Sequence, residues 1–145
     1  MTSRRQRRLE ALVARLQVIQ TSGGFQTDAG AAVFLGDTPN LGPDDPDSAL
    51  VVVPGDTQPG ANRMEVLPVE IQGVAKADLD RPYLAVEAML SDVAESIELE
   101  DRTLGGLIKS MELGAARALP REDGSTVVGV GQTYLLSYIR EWGAP

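Results

Sequence analysis

The chain has 145 residues, of which 43% are hydrophobic and only 4% aromatic, and carries a net charge of −8. That length is enough for one domain with a real core, built from Val, Leu, Ile and Ala rather than from rings. With no cysteine and no histidine, disulfides, thiolate nucleophiles, the usual structural zinc sites and the commonest general base at neutral pH are all excluded.

The charge is unevenly spread. Five arginines against one glutamate give residues 1–15 a local charge of +4, which leaves −12 on the remaining 130 residues. An acidic body repels phosphates and makes a poor nucleic-acid ligand. No apolar run approaches the ~18 residues of a membrane span. The N-terminal arginines are not followed by the apolar segment of a secretory signal. These features lead us to expect a protein made and used in the cytoplasm, with no membrane partner.

The first predicted helix runs from Ser3 to about Gln20. Leu9, Leu12, Leu16 and Ile19 form its apolar stripe, Val13 and Gln20 flank it, and Ser3 is a suitable N-cap. Arg4, Arg5, Arg7 and Arg8 crowd its first two turns, the unfavourable end of the helix dipole for positive charge. Ser22-Gly23-Gly24 reads as its C-terminal cap. Phe25 and the turn Thr27-Asp28-Ala29-Gly30 lead to a first strand, Ala31 to Leu35. Gly36 to Ser48, with three prolines and four aspartates, is an irregular loop. A fully apolar strand, Ala49 to Val53, is followed by a second loop, Pro54 to Asn62, which carries Asp56.

Met64 to Lys76 alternates as a strand, with Leu67, Val69 and Ile71 on one face and Glu70, Gln72 and Lys76 on the other. Pro68 within it suggests an edge or a bulge. Pro82 to about Leu99 is the second helix, with Tyr83, Val86, Leu90, Val93 and Ile97 as its apolar face and Glu87, Asp92, Glu95 and Glu98 on the rest. Pro82 suits a first helical turn, and Arg81 before it is pushed out of the helical region. Leu107 to Leu119 alternates again, Pro120 to Ser125 is a hairpin-length turn signalled by Asp123-Gly124, and Thr126 to Ile139 is the last strand. Trp142 lies in the tail.

This order predicts an α+β fold: about five strands in a mostly antiparallel sheet, with two helices on one face. Tyr134, Leu136 and Tyr138 share one face of the last strand, while Val127, Leu135 and Ile139 take the other. Both faces are substantially apolar, so a neighbouring subunit is expected to cover the second.

Several clusters invite functional readings. The four arginines read as a solvated helix start, as a docking surface for an acidic partner, or as a DNA contact. Asp44, Asp45 and Asp47, near Asp37, are hard oxygen ligands suited to a divalent cation, but they lack the glycine and terminal glutamate of an EF-hand; a mobile acidic loop is the simpler reading. Glu65 with Glu70, or Asp92 with Glu95, are weighed as acid–base pairs of a hydrolase against ordinary surface carboxylates. Gly105-Gly106 lacks a phosphate-loop signature and is read as a sharp helix-to-strand turn. Tyr134, Tyr138 and Trp142 are read as packing residues rather than base-stacking ones. No metal or cofactor is expected.

Four features in this order resemble the tail terminator (tail completion) proteins of long-tailed bacteriophages. They are the first helix ending in Thr21-Ser22-Gly23-Gly24-Phe25-Gln26-Thr27-Asp28-Ala29-Gly30; the Asp/Pro-rich loop before a Val-rich strand; the helix containing Ser91-Asp92-Val93, followed by Leu104-Gly105-Gly106-Leu107; and the closing hairpin with Thr133-Tyr134-Leu135-Leu136-Ser137-Tyr138. The resemblance spans roughly Arg5 to Trp142. It implies a non-enzymatic virion protein of the tail–neck region, assembled in the host cytoplasm. Such a protein is a hexameric homo-oligomeric ring that caps the head-proximal end of the tail tube, ends tube polymerisation and receives the head–tail connector. DNA passes through such a ring without specific binding. On this reading the candidate partner or subunit contacts are Arg4, Arg5, Arg7, Arg8, Asp44, Asp45, Asp47, Asp56, Tyr134 and Tyr138. The alternatives are another neck adaptor that binds the portal side and, from a different class, a small acidic cation-binding domain or enzyme.

Overall fold

The computed structural model describes residues 3–36, 41–98, 101–120 and 126–140. Asp37, Leu99, Trp142 and the hairpin turn at 121–125 lie outside the described residues.

Helix α1 spans Arg4–Gln17, and the Ser3 hydroxyl accepts from the Gln6 amide at 3.1 Å, as an N-cap should. Leu9, Leu12 and Leu16 are its buried stripe. The helix stops three residues short of the expected Gln20. Ile19 is nevertheless fully buried, because the chain folds back beneath the helix end. Gly24, at φ 92°, closes the short 3-10 turn Thr21–Gly23 instead of capping α1. A second 3-10 turn, Ala29–Ala31, places Gly30 against α1, and its amide donates to the Ile19 carbonyl at 2.9 Å.

Among the described residues six strands follow: β1 Val33–Leu35, β2 Ser48–Pro54, β3 Gln58–Pro59, β4 Met64–Lys76, β5 Ser110–Ala118 and β6 Val127–Ile139. Their order is β1-β2-β4-β6-β5, and the two-residue β3 pairs with the start of β4. All pairings are antiparallel except β1 with β2. The α+β expectation therefore holds, with one strand more than foreseen.

The strand-edge reading of Pro68 is corrected. β4 is the central strand, with β2 and β6 on its two sides. The Pro68 carbonyl accepts from Gly55, immediately after β2 ends at Pro54, at 2.8 Å. Its missing N–H thus faces the place where β2 has run out, and no ladder bond is lost there.

Helix α2 spans Pro82–Glu98, preceded by Arg81 at φ 54°, outside the right-handed helical region as expected. Its buried face is rotated from the predicted one: Val86, Met89, Val93 and Ile97 point inward, whereas Tyr83 is 51% exposed. Asp92, assigned to the polar face, is fully buried. Both helices cover one face of the sheet. The main core joins Leu9, Leu12 and Leu16 of α1 and the inner face of α2 to Leu50 and Val52 of β2, Leu67, Val69 and Ile71 of β4, and Tyr134, Leu136 and Tyr138 of β6. Val127 falls on the opposite face with Ala49, Val51, Val74 and Leu41, in a smaller cluster near one end of the sheet.

Gly30 is the tightest joint in this packing. A Cβ there would stand 2.5 Å from the Gln17 carbonyl oxygen and 2.7 Å from that of Ile19. Both are backbone atoms and cannot swing aside. Gly30→Ala should therefore destabilise the fold by about 2 kcal/mol through overpacking, read as a lower urea midpoint with an unchanged m-value; an unshifted midpoint would show that the joint is loose.

Candidate functional site

Two of the sequence features that carry the resemblance meet in space. The Asp92 carboxylate, in the middle of α2, accepts from the Gln26 amide at 3.0 Å, the Thr27 amide at 2.8 Å and the Thr27 hydroxyl at 2.7 Å. Asp28 in turn accepts from the Thr21 amide and hydroxyl at 2.8 and 3.0 Å. The segment from Thr21 to Gly30 is thus a loop tied by two aspartates, one from within and one from α2. A buried carboxylate is tolerable only when its lone pairs are occupied, and here charge-assisted bonds occupy them.

The arginine cluster sits at one end of the sheet. Arg8 is 7% exposed; its guanidinium lies 3.6 Å from the centre of the Tyr138 ring, and its Nε donates to the Leu107 carbonyl at 3.1 Å. This cation–π stack, with a satisfied N–H, accounts for one arginine at an end the dipole disfavours. Arg5 reaches the Thr57 hydroxyl at 2.9 Å and the Gly55 carbonyl at 3.1 Å, tying α1 to the loop after β2. Arg4, Arg7, Arg8 and Lys109 line a cavity of about 590 Å³, floored by Tyr138 and Ile139 and walled by residues of the Thr103–Ile108 turn.

That wall is held by its own chemistry. Asp101 accepts from the Thr103 amide and hydroxyl and from the Gly105 amide, and these bonds, the Thr103 hydroxyl foremost, hold its carboxyl below the ordinary value. Leu104, Gly105 and Gly106 take φ of 51°, 71° and 87° in succession. The two glycines adopt this freely, while Leu104 accepts the left-handed strain and is 5% exposed within the main core. Gly105-Gly106 is therefore the sharp turn that was expected.

Tyr138 joins the arginine end of the sheet to Glu65. Its hydroxyl donates to Glu65 Oε2 at 3.0 Å, and Arg140 Nε stands 3.4 Å from the other carboxylate oxygen. Burial, reinforced by the Glu65 bond, pushes the Tyr138 hydroxyl above its usual range. Tyr134, four residues earlier on the same strand face, is 5% exposed in the core, and its hydroxyl is pushed up to about 12, by burial first and the Glu98 charge second.

The aspartates lie at the far end. Asp44, Asp45 and Asp47 are exposed on the loop entering β2; the Asp45 carboxylate accepts from the Gly42 amide at 2.6 Å, and Lys76 Nζ donates to the Asp45 carbonyl at 2.8 Å. Asp56 is separated from them, exposed on the loop after β2 next to the Arg5 contacts. Among the described residues no group of three or more acidic side chains is placed to hold a metal ion, and no helix is long and apolar enough to cross a membrane.

Neither carboxylate pair is arranged as acid and base. Glu65 stands opposite Tyr138 in the β4–β6 register, on the helix-covered face, whereas Glu70 lies on the other face. Glu70 crosses over Gly131, where a Cβ would meet its carboxyl carbon at 2.5 Å, to reach Arg117 on β5 in two bonds of 2.7 and 2.9 Å. Asp92 is occupied by the loop, while Glu95 is exposed.

Lys109 was not among the residues singled out from the sequence as candidate contacts. It stands one residue before β5, and only the pairing of its amide with the Ser137 carbonyl at 2.7 Å brings it beside the arginines. No protein-family model matches the sequence, and no curated protein matches it closely enough to count as a relative.

Two outcomes are expected. Asp92→Ala, which strands two partly buried amides and a hydroxyl, should cost about 3 kcal/mol, and Asp92→Asn roughly half that, by chemical denaturation. A loss below ~1 kcal/mol for the alanine variant would mean the loop is held by other contacts. The second concerns pH. The Arg117 hydrogen bond chiefly holds the Glu70 carboxyl below its ordinary 4.5, with burial opposing and Gln72 assisting. A lowered folded-state value means the pair stabilises the protein fully above about 4.5 and is lost as pH falls through the folded value. Arg117→Gln should flatten that part of the acid limb and leave stability near pH 2 unchanged relative to wild type.

Proposed function

We propose that this chain is a structural subunit of a long-tailed phage: a tail terminator that forms a homo-oligomeric, hexameric ring on the head-proximal end of the tail tube. The observation that carries the reading is the meeting of the Thr21–Gly30 loop with Asp92 of α2. These two stretches, distant in sequence, are among those that resemble the family, and a buried carboxylate makes them one unit. The α+β sheet with both helices on one face is in keeping with it. So are the carboxylates, which are engaged in holding the fold rather than facing one another across a cleft.

The mechanism would be surface complementarity. A closed ring on the growing end of the tube leaves the next tube ring nowhere to add. One ring face would bind the tube protein and the other the head–tail connector, in the neck of the virion, with DNA passing through unbound.

Negative-stain microscopy of the purified chain, alone and mixed with its own tail tubes, tests this. Six-fold rings, or caps confined to one tube end, are expected. A protein that leaves both tube ends bare would overturn the terminator reading, as would tails that stop at normal length and join heads without it.

A further inference from the structure

The charged clusters lie at opposite ends of one rigid sheet. β4 runs 13 residues between them, about 40 Å at the rise of an extended strand. Beside its Met64 end is the cavity lined by Arg4, Arg7, Arg8 and Lys109, of which Arg7 and Lys109 are exposed. Beside its Lys76 end the loop entering β2 projects Asp44, Asp45 and Asp47.

Both features are built. The cavity is fixed by the Arg8–Tyr138 stack and by the Asp101-bonded turn. The acidic loop is closed by the Asp45–Gly42 bond and fastened to β4 by Lys76, whose amide donates to the Asp47 carbonyl at 2.8 Å. Asp47 keeps its side chain 72% exposed although Lys76 Nζ is 3.5 Å away. The acidic turn and the cationic cavity therefore lie at opposite ends of the sheet and cannot meet within one chain.

We infer that the acidic turn of one copy docks into the cationic cavity of the next, so that copies join head to tail. The exposed Asp44 and Asp47 answer the exposed Arg7 and Lys109, and each copy brings one of each surface. Such a contact is heterologous; repeated, it makes a ring where the rotation between copies closes and a filament where it does not. Leu107, Ile108 and Ile139 line the cavity beside the cations, and apolar lining strengthens an ion pair by lowering the local dielectric. A phosphate polymer is the less suited occupant, because the −12 carried outside residues 1–15 repels it. The inference deepens the ring reading above and rests on it.

Charge reversal tests it by sedimentation velocity on the full chain. Arg7→Glu with Lys109→Glu, set against the remaining Arg4 and Arg8, cancels the positive charge of the cavity; Asp44→Lys with Asp47→Lys makes both ends basic. All four residues are exposed, so the folded circular-dichroism spectrum should be unchanged. Each variant alone should associate on the order of a hundredfold more weakly than wild type, and an equimolar mixture should associate more strongly than either variant alone, because the intact acidic turn of the first fits the intact cavity of the second. Wild-type association should also weaken as salt rises. Wild-type-sized assemblies in both variants would overturn the docking while leaving the ring intact. A wild-type chain that stays monomeric would overturn the ring and the docking with it. Binding of a labelled DNA duplex that is lost in the Arg7/Lys109 variant, with self-association unaffected in both, would assign the cavity to phosphate and overturn the inference.

Discussion

A carboxylate buried in an aliphatic core has to be surrounded by donors, and the placement of Asp92 makes much of this fold follow from that requirement. Its three bonds come from residues 26 and 27, more than sixty positions earlier in the chain. They fix the Thr21–Gly30 loop on α2, which sets where α1 ends and where β1 begins. Gly30 can then pack against the last carbonyls of α1 without a side chain in between. Removing the charge would unfasten this stretch from α2 and leave it to the Asp28 bonds and the Gly30 contact with α1.

The helices and long strands were legible because apolar side chains recur at their own periods. Leu9, Leu12 and Leu16 mark α1, and Leu67, Val69 and Ile71 mark β4. What escaped was set by partners distant in sequence. Asp92 looks like a surface residue on a helical projection, since periodicity cannot see a loop folding back to supply amides. Tyr83 looks like part of the apolar face, yet it sits in the first turn of α2 and is left at the surface. Pro68 suggested an edge because its missing donor needs an empty side, and the end of β2 supplies one in the middle of the sheet.

The candidate site was legible in part. The arginines stand out against an acidic body, but the sequence does not distinguish Arg8, turned inward onto Tyr138, from Arg7, left at the surface. Nor does it tell that Asp56 belongs to the arginine end and Asp44 to the other. The first depends on which side of α1 packs against the sheet and the second on strand pairing, and both join residues far apart in sequence. Lys109 illustrates the same limit, as it reaches the cavity only through the pairing beside Ser137.

β6 follows the other described strands in sequence yet lies inside the sheet, between β4 and β5. β4 and β5 therefore wait, each with an open row of backbone donors and acceptors, until residues 127–139 are available, and β5 has no other strand to lean on. Closing such distant pairings is slow and leaves sticky edges exposed meanwhile. Tyr138, which floors the arginine cavity, and Ser137, which anchors its Lys109 wall, belong to that late strand. The cavity consequently exists only on a chain whose sheet is complete, so the fold itself withholds this surface from unfinished molecules.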